Sequence, residues 1–284
     1  MTALPVLSRS AATAQLLHTL ARAPAERLTG VLRVQGNPGG VIRLDRGSVI
    51  AVESPGAPDV VTLLLRSGRV AERDWEAVFR TGMAGGDLGA ELVARGLAAP
   101  AQLHVMCLMA ALDAAFAVAA GRIDGCVIDG AHAPAVLPVG GGIEPDMLMG
   151  ETERRIRALG AARVPLSPYR DRVARVAGPG DARVLELVNG RRSCRDLAFL
   201  LGRGLYAVTV EVSRLLAAGS VELVPREEPP PQEPEQEPLP RRHKGASGIT
   251  DVRAAKPAAR LRTPFRLKAR TTDGEDQESK EKPP

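Results

Sequence analysis

Large aromatic side chains are scarce in this 284-residue sequence: one Trp, two Tyr and four Phe, or 2%. That argues against a stacking platform for single-stranded nucleic acid, which needs aromatic faces for the bases. Lysine is missing until Lys244. A P-loop is therefore excluded upstream of it, because that motif ends in Gly-Lys-Ser/Thr. The three cysteines, Cys107, Cys126 and Cys194, form no Cys-x-x-Cys and cannot all pair, so a reducing, cytoplasmic setting is expected. The four histidines, His18, His104, His132 and His243, are far apart. Neither a metal site nor a cofactor is expected from that spacing. Apolar runs are broken by charge or Gly within about a dozen residues, whereas a membrane span needs roughly 20. The opening MTALPVLSRSAATAQ lacks a charged segment followed by an apolar core, so no signal peptide is expected either.

What the chain does contain is Arg, Ala, Gly and a strongly patterned charge distribution. Residues 1–224 hold 25 Arg against 22 acids, a net of +3. Arg to the exclusion of Lys, beside so much Ala, Gly and Pro, fits GC-rich coding and is no evidence of phosphate binding. The asymmetry lies further on. Segment 225–240 carries −4, segment 241–270 carries +9 and segment 271–284 carries −3. Such Pro-rich charge blocks bury too little apolar surface to offset ordering entropy, so 225–284 is expected to be a disordered tail. Its basic residues (Arg241, Arg242, Lys244, Arg253, Lys256, Arg260, Arg262, Arg266, Lys268 and Arg270) read either as a solubilising end or as an arm for DNA, RNA or an acidic partner.

The pattern upstream predicts an α+β chain. A helix over 11–22 places Leu16, Leu17 and Leu20 on one side. Three short strands follow, Gly30–Val34, Val41–Leu44 and Ser48–Glu53, with reversals at 35–40 and at Asp45-Arg46-Gly47. Helical spacing then brings together Val60, Val61, Leu64 and Leu65, and next Trp75, Val78 and Phe79. A long helix over 102–120 is given the face Val105, Leu108, Met109, Leu112 and Phe116. Cys107, close to that face, reads as a core residue. Residues 121–128 turn into a strand. Residues 130–142 read as a linker, and a helix at 144–160 shows the face Leu148, Thr152, Ile156 and Leu159. Helices at 181–188, 194–201 and 205–218 and a strand at 221–224 complete the pattern. One phrase recurs: Leu-Leu-x-x-Gly at 64–68 and 215–219, and a looser form at 92–96. Each predicts a helix ending on a left-handed Gly.

Two stretches resemble known families. Leu28-Thr29-Gly30-Val31-Leu32-Arg33-Val34, Asp45-Arg46-Gly47-Ser48-Val49-Ile50-Ala51 and the phrase from Leu88-Gly89 through Leu97 to Leu103 resemble the PatA-like N-terminal domain of bacterial regulators, over about 10–130. Val184-Leu185-Glu186-Leu187-Val188-Asn189-Gly190 through Cys194-Arg195-Asp196-Leu197-Ala198 is similar to a winged-helix unit of MarR-type transcription regulators, over about 180–224. The first resemblance implies sensing or docking in signalling. The second implies DNA binding, although winged helices also make protein contacts. The resulting layout is a PatA-like domain (1–130), a linker with a helix (131–179), a winged-helix-like domain (180–224) and the tail (225–284).

In a helix-turn-helix the second helix enters the major groove by its first turn. Here that helix is 205–214, with Tyr206, Thr209, Val210, Ser213 and Arg214 expected outward. Leu205, Val208, Val212, Leu215 and Leu216 are expected inward, as are Leu197, Leu200 and Leu201 of the preceding helix. Ser193 and Asp196 have the spacing of a capping box. Arg191, Arg192, Arg195 and Arg203 could reach backbone phosphates. Against DNA stand Glu211 on the recognition helix, the single Arg on its outer face, and no second wing strand after Val224. DNA and a regulatory protein both remain as the expected partner. Catalysis is not expected. Gly140-Gly141-Gly142 precedes a helix that opens with Glu144 and Asp146, which would oppose a phosphate, so it reads as linker. Glu151 and Glu153 beside Arg154, Arg155 and Arg157 read as a solvated helix face. The expected function is winged-helix transcription regulation with an N-terminal sensing domain, or else signalling through protein contacts alone.

Overall fold

The computed structural model describes residues 10–130, 135–162, 164–176 and 183–225. The expected disordered tail beyond Pro225, with all its basic residues, lies outside them. The fold is α+β, with the order α1 (Ala11–Glu26), β1 (Gly30–Asn37), β2 (Gly40–Asp45), β3 (Ser48–Glu53), α2 (Val60–Arg66), α3 (Glu72–Gly85), α4 (Leu88–Ala94), α5 (Pro100–Ala120), β4 (Arg122–Asp129), α6 (Pro145–Gly160), β5 (Val173–Arg175), α7 (Arg183–Leu187), α8 (Cys194–Leu201), α9 (Leu205–Ala217) and β6 (Val221–Leu223). The first four strands make an antiparallel sheet ordered β3-β2-β1-β4. The meander read from Gly, Asn and Pro spacing is therefore present, and β4 returns along β1 with Leu32 opposite Ile128 and Val34 opposite Cys126. Inward alternation along it buries Leu32, Val34, Ile42, Leu44 and Val49.

The recurring Gly phrase ends three helices as its spacing predicts. Gly68, Gly96 and Gly219 have φ of 74°, 68° and 72°. In each the Gly N–H returns to the helix, to the carbonyls of Leu65, Val93 and Leu216. The following residue closes a wider loop onto Leu64, Leu92 and Leu215. These are Schellman-type ends, where a left-handed residue satisfies the last carbonyls. The chain then drops Val70 and Val221 into the core.

α5 is the central element, and its orientation corrects the expected one. Val105 and Met109 are exposed, while Leu103, Cys107, Ala110, Ala111 and Ala114 point inward. A helix apolar on nearly all sides has no stripe from which to read its phase. It is also long and apolar enough to cross a membrane by length and composition, with mean hydropathy 1.9, contrary to the expectation that no run is. Asp113 alone interrupts it, and 56% of that stretch is buried inside the protein. Most of α5 packs in a core with the sheet, α1, α2 and α4. Phe116 and Ala117 instead join a second core made by α7, α8, α9, β5 and β6. Residues 10–225 thus pack as one compact unit, with α5 shared between its two cores.

Four further expectations change. Leu17 on α1, Phe79 on α3 and Leu200 on α8 are exposed, since each sits at the border of its apolar arc. Within the expected linker Leu137, Val139 and Ile143 are buried, because 139–143 runs along the open edge of β3: Ile143 and Val49 exchange hydrogen bonds at 2.8 and 2.9 Å. A partner for the last strand does exist: β5 pairs antiparallel with β6, from before the helices and not after them. Leu215 and Leu216 are only partly buried, whereas Leu205, Val208 and Val212 are fully so.

Candidate functional site

The helix-turn-helix is built as its residues require. Ser193 Oγ accepts from the Asp196 N–H, and the Asp196 carboxylate accepts from the Ser193 N–H at 2.9 Å, a complete capping box. Arg172 from before β5 also reaches Asp196, at 3.1 Å. Partial burial is the largest single influence on the Asp196 carboxyl and acts upward, but the Ser193 hydrogen bonds with the charges of Arg172 and Arg195 together hold it below its ordinary value. Gly202 makes the turn with φ 59°. It lies so close to α2 that a β-carbon there would stand 2.5 Å from the Ser67 nitrogen.

The turn leads α9 into the interior. Gly204 is the N-cap of α9, and a β-carbon on it would collide with Asp113 Oδ2. The Asp113 carboxylate, projected from α5, stands at the first turn of α9, where the Leu205 and Tyr206 N–H groups favour its charged form. It therefore places a negative charge at the N-terminus of α9, where Gly204 offers no side-chain cap. Arg155 of α6 closes the site: its Nη1 donates to Asp113 Oδ1 at 2.6 Å and its Nε to Glu151 Oε1 at 2.8 Å. Glu151 also takes two bonds from Arg154. The Tyr206 ring meets Phe116 edge-on, centroids 5.3 Å apart, and lies 4.9 Å from the Arg155 guanidinium carbon. Burial lifts the Asp113 carboxyl above its ordinary value against the pull of Arg155 and the two N–H groups. Hydrogen bonds from Arg154, the largest effect, together with the bond and charge of Arg155, draw Glu151 down to about 2 against the opposing effect of burial.

This cluster corrects the solvated-face reading of 151–157. Arg155 is 3% exposed and belongs to the interior, while Arg154 and Arg157 stay outside. The pattern Glu-x-x-x-Arg is the same on a wet face and on a docked one. The available signal was Asp113, a lone acid in an apolar helix, which has to find a cation somewhere.

The residues expected to read or hold a partner are scattered in role. Thr209, expected outward, is fully buried and its Oγ1 donates to the Leu205 carbonyl at 2.7 Å. Tyr206 is half-buried in the contact with α5 and α6. Arg203 pairs with Glu211 at 2.7 Å. Arg192 donates to the Leu187 carbonyl at 2.8 Å. Arg195 donates to the Pro55 carbonyl at 2.9 Å and lies over Phe199. Ser213 is half-exposed and Arg214 exposed on α9, and Arg191 is exposed ahead of α8. Arg241, Arg242, Lys244, Arg260, Arg262, Arg266, Lys268 and Arg270 lie outside the described residues. Among the described residues no group of three or more His, Cys, Asp or Glu side chains could hold a metal ion. Burial pushes the Cys194 thiol up to about 12 and that of Cys107 to about 11, so neither is a ready nucleophile. No family model, curated protein or solved structure matches the chain.

Proposed function

We propose that this chain is a non-enzymatic regulatory protein that works through protein contacts, the adapter of the two expected roles. One observation carries the choice: the first turn of α9, which a DNA-reading helix would offer to base edges, is turned inward against Asp113 of α5. Its one aromatic, Tyr206, is packed between Phe116 and Arg155. Three of the arginines assigned to phosphates are engaged instead with Glu211, the Leu187 carbonyl and the Pro55 carbonyl. The winged-helix resemblance then describes a scaffold, with the PatA-like resemblance giving the docking role. Val105 and Met109, exposed one turn apart on α5, are apolar surface of the kind partners use.

The test is capture of fragmented genomic DNA by the full chain at roughly 50 mM salt, where phosphate contacts are strong. The expected result is sequence-independent retention or none, unchanged by Arg191→Ala and Arg214→Ala. Cross-linking in cell extract is expected to join a protein to residues within 10–225. Enrichment of particular fragments that those two substitutions abolish would overturn the adapter reading in favour of transcription regulation.

A further inference from the structure

A cleft of about 360 Å³ opens beside the β2–β3 turn, far in sequence from α9. Two of its lining residues are Arg27 and Arg46. Both have φ of 48°, and they are the non-glycine residues with positive φ among the described residues. Arg27 sits at the left-handed C-cap of α1, where Gly or Asn is the usual choice. Arg46, with Gly47 at φ 91°, makes the two-residue turn between β2 and β3, where Asn-Gly is strongly preferred. At both places local conformation favours a different residue, so Arg stands at two conformationally costly positions. Two such positions, from separate elements, line one cleft.

The rest of the lining is uncharged except for Asp45, which leaves the cleft with one net positive charge. Gly141 and Gly142, at φ 80° and 73°, present bare backbone to the cleft. A β-carbon on Gly142 would stand 2.7 Å from the Ser48 side chain and fill the space between them. Among the described residues the Arg27 guanidinium and the Ser48 hydroxyl have no hydrogen-bond partner. Arg46 has Asp45 at 3.4 Å, an exposed contact of small value. Ile50 and Val139 add apolar surface. Glu144 and Asp146, which oppose an anion at the start of α6, do not line the cleft.

We propose that this cleft binds a small molecule through an oxyanion, a phosphoryl or carboxylate group held by the forks of Arg27 and Arg46 with Ser48 donating. Planar guanidinium groups match both oxyanions in geometry. The volume is at the low end of ligand pockets, which suits a compact metabolite with a short apolar part resting on Ile50 and Val139. This goes beyond the adapter reading and does not depend on it.

The full chain is titrated calorimetrically with inorganic phosphate and, separately, with citrate, at constant ionic strength. Arg27→Asn and Arg46→Asn are the variants, because Asn accepts the left-handed conformation and keeps both turns. Saturable binding is expected to wild type, weakened roughly tenfold or more in each variant, as for loss of a charge-assisted pair. Their thermal midpoints without ligand should equal or exceed that of wild type, which separates a binding role from a structural one. Preference for phosphate or for citrate assigns the ligand's charged group, and either supports the site. Binding that is equal in wild type and both variants places the anion elsewhere, as on the basic tail, and overturns the proposal. So does the absence of saturable binding by both anions.

Discussion

Arg155 of α6 meets Asp113 of α5 at 2.6 Å, 42 residues away in sequence, with side chains 3% and 6% exposed. The pair joins the two cores of the protein at one point, because Asp113 also lies against Gly204 at the start of α9. A buried pair of this kind contributes little net stability compared with apolar packing, but breaking it leaves an uncompensated charge.

Arg155→Met should therefore cost about 3–5 kcal/mol in urea unfolding followed by circular dichroism. Asp113→Asn combined with Arg155→Met should recover most of that loss, since Asn keeps an acceptor for the Leu205 and Tyr206 N–H groups. Asp113→Leu with Arg155→Met should recover less, because those donors are then orphaned. If the two double variants are equally stable, Asp113 does not cap α9.

Tyr206→Ala should cost about 2 kcal/mol or more, as a half-buried ring with aromatic and cationic neighbours. Leu197→Ala, at a fully buried position, should cost roughly 2–5 kcal/mol. A cost for Tyr206→Ala under about 0.5 kcal/mol would mark it as a surface residue and return α9 to the role of a presented helix.

Gly204→Ala tests the close approach of α9 to α5. The backbone of Gly204 is at φ −59°, which Ala adopts freely, so any loss comes from the clash with Asp113. The expected loss is about 1–3 kcal/mol in thermal unfolding. Gly68→Ala meets open space but is held at φ 74°, and should cost about 1 kcal/mol for the opposite reason. Unchanged stability of Gly204→Ala would place α9 further from Asp113 than described.

The acid limb of stability should carry the signature of Glu151. Its folded value, about 2, lies below its ordinary 4.5. Its contribution is therefore complete above pH 4.5 and is lost as pH falls toward 2. Asp196, also depressed, acts in the same direction. Asp113, raised by burial, acts in the opposite one, since its protonation is easier folded than unfolded. The difference between wild type and Glu151→Gln isolates the first of these. A difference that stays constant between pH 5 and pH 2 would contradict the Arg154–Glu151–Arg155 arrangement.

Much of the local structure was legible from spacing. The meander, the three glycine-ended helices and the Ser193–Asp196 box follow from contacts within a few residues, and such patterns carry their own geometry. Val105 and Met109 were assigned inward because α5 is apolar on most sides, so its phase was set by neighbours and not by its own pattern. Thr209 and Leu200 fell on the wrong side for a related reason: both stand at the border of an apolar arc. β5 was missed because three residues, Val173–Arg175, are too short to show alternation.

The sequence by itself determined the α+β class, the ends of most elements, and the lone acid that an apolar helix has to neutralise. Which cation answers Asp113, which turn of α9 it meets, and that Arg27 and Arg46 line one cleft were decided only by the tertiary structure. Periodicity and capping are properties of neighbours along the chain, whereas a pair 42 residues apart exists only once α5, α6 and α9 have packed together.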